Sequence, residues 1–171
     1  GVYLLMLFNA ETLQGIVFWI MGSLVTQGWM HVKILLPFAV LGSFFILFHA
    51  RNLNVILQGE EMAQYLGVEV ERVKKGLFLI SSLVVGASVA VSGVIGFVGL
   101  IVPHAVRLVV GPDHRVLLPS AVLTGGMFLV LCDALARTAA APKEIPVGII
   151  TALMGAPFFI YLLTKNRGNF Y

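Results

Sequence analysis

Residues 76–106 read GLFLISSLVVGASVAVSGVIGFVGLIVPHAV, 31 consecutive positions without Asp, Glu, Lys or Arg. As a single helix they would extend about 46 Å at 1.5 Å per residue. The hydrocarbon core of a bilayer is about 30 Å thick, so one straight helix overshoots it. Ser92-Gly93 is the expected break, giving two spans over 74–91 and 94–110. Working outward, three more apolar runs follow the same logic. One covers 32–50 and is interrupted only by Lys33. Another covers 116–136 and contains Asp133. The last covers 147–164. Residues 1–10 read as the end of an upstream helix. Residues 16–25 are too short to span and are expected at an interface or in a re-entrant segment. The predicted fold is all-α, a polytopic transmembrane helix bundle.

Composition supports that class. Of 171 residues, 59% are hydrophobic and 11% charged, against about 25% charged in an average soluble domain. Mean hydropathy is +0.99. Too few charges are present to cover a soluble surface, which argues against a cytosolic enzyme or a nucleic-acid binder. The pI of 9.3 does not change this, because the 11 Lys and Arg are scattered without a basic stripe. The single Cys132 permits no internal disulfide. The chain begins at Gly1 within apolar sequence and reads as part of a longer membrane protein.

Loop charges predict an orientation. Arg51, Arg72, Lys74, Lys75, Arg107, Arg115, Lys165 and Arg167 fall on one side of the alternating spans. Lys33, Arg137 and Lys143 fall on the other. The positive-inside rule puts the first set in the cytoplasm, so the 51–73 loop and the C-terminus are inside and the 137–146 loop is outside. Small residues four apart, Gly86/Ala90, Ala121/Gly125, Gly148/Ala152 and Ala152/Ala156, suit close helix packing, although apolar helices are rich in Gly and Ala anyway.

The 51–73 loop contains Gly59-Glu60-Glu61-Met62-Ala63-Gln64-Tyr65-Leu66-Gly67. A short helix fits, with Glu60 and Glu61 at its positive N-terminal end and Gly67 as a left-handed stop. Met62, Tyr65 and Leu66 then share one face. That face suits a docking helix for a partner's groove, or equally a surface helix packed on its own bundle.

Asp133 and Arg137 are four apart, which allows an ion pair. An Asp at mid-span costs roughly 2.5–3.5 kcal/mol without a partner. Arg137 can serve that structural pair or meet an acidic partner outside. Asp113-His114-Arg115 form a tight turn after Gly111-Pro112. Pro103 inside a helix frees a carbonyl that the neighbouring His104 could satisfy. The four histidines show no ligand-like spacing, so no metal site is expected. A membrane protease would have to use Ser88 and His104, and Ser88 is better read as helix-packing material. An ion-coupled secondary transporter or channel needs intramembrane carboxylates, and Asp133 is the one acid inside a run.

Three stretches resemble a known family. Gly93-Val94-Ile95-Gly96-Phe97-Val98-Gly99-Leu100-Ile101-Val102-Pro103-His104, followed by Arg107 and Gly111-Pro112-Asp113-His114-Arg115 with Leu118-Pro119, is the strongest. Glu144-Ile145-Pro146-Val147-Gly148 running on to Phe159 is the second, and Gly59-Glu60-Glu61 with Leu66-Gly67-Val68 the third. Together they resemble the FecCD-type permeases of ABC importers for iron-siderophores, haem and vitamin B12, over residues 16–163. Gln58 and Ile145 depart from the usual residues without altering the match. The resemblance implies the C-terminal half of a permease of about ten helices. It also implies a second permease subunit, a cytoplasmic ATPase dimer that carries the ATP, and a periplasmic or lipid-anchored binding protein. No catalytic residue and no bound cofactor are implied. On that pattern Gly59, Glu60, Glu61, Met62, Ala63, Tyr65, Leu66 and Gly67 form the coupling helix. Arg137 meets a carboxylate of the binding protein. Gly93, Gly96, Gly99, Pro103 and His104 are candidates for the translocation path or its hinges.

Overall fold

The computed structural model describes residues 10–25, 27–139 and 145–166, and among these it contains eight helices. They are α1 Ala10–Met21, α2 Trp29–Phe48, α3 Ala50–Ile56, α4 Glu60–Tyr65, α5 Val70–Ser92, α6 Val98–Val110, α7 His114–Thr138 and α8 Val147–Asn166. The expected upstream helix end at 1–10 falls almost wholly outside the described residues, as do positions 140–144 of the 137–146 loop. Three helices, α2, α5 and α7, are long and apolar enough to cross a membrane. At 20, 23 and 25 residues they rise about 30–38 Å. α6 and the 147–161 part of α8 are shorter apolar helices.

These helices expose large apolar side chains. Phe44, Phe48, Leu79 and Leu131 are all more than 60% exposed. Such helices need either lipid or further protein around them.

Two compact units can be distinguished. One draws on 28–91 and 102–126, the other on residues up to 27, on 92–101 and from 127 onward. In the first unit, α2 and α5 meet where Gly42 leaves room for Val84, and Gly76 lies against the Phe45 ring. Gly125 on α7 faces Val102 on α6. Val70, Val73, Val102, Val106 and Leu117 are buried here. Gly42 belongs to none of the small pairs that the sequence singles out, whereas Gly86 has no side chain near it among the described residues.

The second unit is organised around a glycine knot in which three chain segments share backbone bonds. The Trp19 carbonyl accepts from Gly22 N–H and Val94 N–H, both at 3.3 Å. Ser23 N–H donates to the Ser92 carbonyl at 3.0 Å, and Gly148 N–H to the Gly22 carbonyl at 3.2 Å. Gly93 takes a left-handed φ of 70° with its α-carbon against the Trp19 carbonyl, and Gly148 sits equally close to the Met21 carbonyl. Any side chain at either position would overlap backbone. Thr151, fully buried, donates its hydroxyl to the Gly148 carbonyl at 3.1 Å.

The helix ends differ from the sequence reading in instructive places. α5 stops at Ser92, as the break suggests, but α6 begins at Val98 rather than 94. Gly93 and Phe97 both have positive φ (70° and 67°), which no right-handed helix accommodates. The Phe97 strain, of order 1–3 kcal/mol, is held by packing on Gly155, where a Cβ would collide with the Phe97 side chain. α5 begins at Val70, a turn earlier than the apolar run. Its start is charged yet helical: Glu69, just before it, pairs with Arg72 at 2.6 Å, and Glu71 pairs with Lys75 at 3.6 Å. α3 has no counterpart in the sequence reading, which treats 51–58 as polar loop.

Candidate functional site

α4 has six residues, too few to be stable alone, so its surroundings must hold it. Gly59 enters with φ of 123°, a conformation glycine adopts without penalty. Ala63 is completely buried. At the exit Gly67 has φ of 81°. Gly67 N–H donates to the Gln64 carbonyl at 2.9 Å and Val68 N–H to the Ala63 carbonyl at 2.9 Å. This is the paired C-terminal closure in which glycine supplies the left-handed residue. Glu60 and Glu61 occupy the positive end of the helix. Glu60 also pairs with Lys74 of α5 at 2.5 Å, an exposed contact that contributes at most about 1 kcal/mol. α3 packs beside α4.

The result is a fixed short helix with an apolar outer face. Met62, Tyr65 and Leu66 are 52%, 88% and 63% exposed. They lie beside the exposed Glu60 and Glu61, and none of the described residues covers them. A face of this kind is suited to insertion into another protein's groove.

A second polar cluster lies in the same unit. Asp113 caps α7: its carboxylate accepts Arg115 N–H at 2.9 Å, and its backbone carbonyl accepts Leu117 N–H at 2.8 Å. Asn54 of α3 donates its amide N–H to the same carboxylate at 2.6 Å. Asn54 Oδ1 accepts His114 N–H at 2.8 Å and faces His114 Nδ1 at 2.9 Å. These bonds fix the amide orientation and require the ring proton on Nδ1. The Arg115 N–H first, and then the Asn54 amide, hold the Asp113 carboxyl below the usual carboxylate range. The tight turn expected at 113–115 is therefore a junction with α3. Its partner, 59 positions away, carries no signal in the sequence.

Arg137 Nε lies 2.7 Å from Asp133 Oδ2 on α7, with Arg137 about half exposed. Gly93 belongs to the glycine knot. Gly96 lies in the non-helical 93–97 segment, Gly99 in the first turn of α6, and Pro103 in mid-helix, with His104 exposed beside it. Ser88 donates its hydroxyl to the Val84 carbonyl at 2.8 Å, an ordinary helical back-bond. Among the described residues no three of His, Cys, Asp and Glu approach closely enough to hold a metal ion.

The helices define a multi-pass membrane protein. A profile of the FecCD transport family matches residues 2–165, and the chain belongs to that family. It is 57% identical over 150 residues to a cobalamin import permease of Halobacterium salinarum, covering 88% of this chain and 40% of the relative. It is 48% identical to the hemin transport permease of Yersinia pestis, covering 87% and 45%. An uncharacterised ABC transporter permease of Bacillus subtilis is 46% identical, covering 98% and 48%. The chain thus spans about half the length of the curated relatives it matches. A solved structure described as a metal-chelate type ABC transporter in an inward-facing conformation superposes with a TM-score of 0.84. It is 39% identical, and the match covers 92% of this chain and 51% of that one.

Proposed function

We propose that this chain forms the C-terminal part of the permease subunit of an ABC importer. Its cargo is an iron-siderophore or a related metal chelate such as haem or cobalamin, carried across the bacterial cytoplasmic (inner) membrane. The observation that carries the reading is the braced helix α4, which presents Met62, Tyr65 and Leu66 with no covering surface among the described residues. In this proposal α4 seats in a cytoplasmic ATPase dimer. The permease binds no cofactor itself, since ATP resides on that partner, and it performs no covalent chemistry. A second permease subunit, the same or different, completes the pathway. A periplasmic or lipid-anchored binding protein delivers cargo from outside.

The mechanism follows from the bracing. ATP binding closes the ATPase dimer and moves the helix seated in it. A helix held at both ends and buried at Ala63 passes that displacement on instead of absorbing it. The two access states then exchange according to how differently the ATPase contacts each. Full-length permease with its ATPase in proteoliposomes is expected to take up cargo delivered by the binding protein only when ATP is supplied. Uptake driven by an ion gradient without the ATPase would favour a secondary transporter instead.

On the outer side, Arg137 is proposed to meet a carboxylate of the binding protein. Its pair with Asp133 keeps the guanidinium placed near the helix end. Arg137→Glu is expected to weaken binding-protein association about tenfold at low salt, and less near 0.5 M where exposed charges are screened. Titration of binding protein against detergent-solubilised transporter measures this. Equal affinity at low salt would leave Arg137 with only its structural pair.

A further inference from the structure

We infer that Asn54 is a positioning residue that joins the docking helix α4, through its neighbour α3, to membrane helix α7, and that nucleotide-driven movement reaches α7 through it. The inference rests on the transporter reading above. Among the described residues, two routes lead from α4 into the rest of its unit, through side-chain bonds or the chain itself. One runs directly along the chain into α5 through 67–70, reinforced by Glu60–Lys74. The other runs through the neighbouring α3 to the turn that starts α7, and there the Asn54 amide makes the side-chain hydrogen bonds between the two. Asn54 gives one N–H to Asp113 and takes two N–H groups of His114. Asp113 in turn holds the first turn of α7. α7 is one continuous helix from His114 to Thr138, with Arg137 in its last turn. The junction therefore grips one end of the element whose other end is proposed to meet the binding protein.

The chemistry at position 54 is demanding. The side chain must donate on one side, to a carboxylate, and accept on the other, from two donors. An amide does both at once. Alanine does neither. Aspartate keeps the acceptor side but sets a carboxylate against Asp113. Exchanging the partners restores complementarity, since a carboxylate at position 54 facing an amide at position 113 offers the same donors and acceptors in reverse.

The test uses full-length permease assembled with its ATPase in proteoliposomes. Phosphate release from ATP is measured with and without added binding protein, alongside co-purification of the ATPase. Asn54→Ala and Asn54→Asp are expected to lose about fivefold or more of the binding-protein stimulation, a coupling effect of the usual size. Basal hydrolysis and co-purification are expected to stay within about twofold of wild type, because α4 and its exposed face are unaltered. The double variant Asn54→Asp/Asp113→Asn is expected to regain most of the stimulation, and Asp113→Asn alone, still a good cap, to keep most of it. Wild-type stimulation in both single variants at position 54 would overturn the inference. So would a parallel loss of co-purification and basal hydrolysis that the double variant fails to restore, since that is the signature of a fold defect. Failure of the transporter reading looks different: wild-type permease would then neither retain the ATPase nor respond to binding protein.

Discussion

Gly93→Ala is expected to destabilise the protein by about 2–6 kcal/mol, combining overpacking with a left-handed backbone that alanine resists. The new methyl would overlap the Trp19 carbonyl. That carbonyl has little freedom to retreat, because it accepts from both Gly22 and Val94. Moving it breaks bonds that hold the end of α1 and the start of the 93–97 segment together. Most single substitutions cost about 0.5–3 kcal/mol, so this one should stand out in a thermal unfolding series on purified full-length permease. Gly125→Ala is the matched comparison, since its methyl would make only ordinary contact with Val102 at 3.7 Å, and it should shift the midpoint little. A Gly93→Ala protein that melts with wild type would mean the knot can relax, and that the backbone bonds at Trp19 are not what holds it.

Tyr65→Asp is expected to weaken ATPase association about thirtyfold or more, the loss typical of removing an exposed aromatic anchor from the centre of an interface. Tyr65 is 88% exposed and packs on little of its own chain, so membrane insertion and thermal stability should be unchanged. Gly67→Pro acts by a different route. Proline cannot adopt φ of 81° and has no N–H for the Gln64 carbonyl. It should unwind the helix exit and cut transport by a similar factor while the outer face remains chemically intact. Glu60→Lys places two cations together where Glu60 now meets Lys74, with a smaller expected loss. ATP-driven uptake and pull-down of the ATPase measure all three.

Which features can be read in advance follows from their range in sequence. The short helix at 60–65 is legible because its determinants are local: acids at one end, a left-handed glycine at the other, and apolar residues three and four apart. The break after Ser92 is legible for the same reason. The start of α6 is not, because Phe97 is held at positive φ by packing on Gly155, far along the chain. Small residues four apart mark candidates for close packing but not the partner. Gly42 therefore escapes notice, and Gly86 has no contact of this kind among the described residues. The Asn54–Asp113 junction is unreadable, since either asparagine of the stretch, Asn52 or Asn54, has many local partners to choose from. α3 escapes for a related reason: its apolar positions, Leu53, Val55 and Ile56, cover too little length to stand out beside polar neighbours.

Energy from nucleotide turnover enters the permease, on this reading, through the outer face of α4. Cysteine cross-linking of Tyr65→Cys to the ATPase in native membranes tests that contact most directly. The expected result is a covalent permease–ATPase product whose yield changes with ATP, and no reaction of this position with impermeant reagents added outside intact cells. Labelling from outside, or no product with the ATPase across cross-linkers of several lengths, would contradict it.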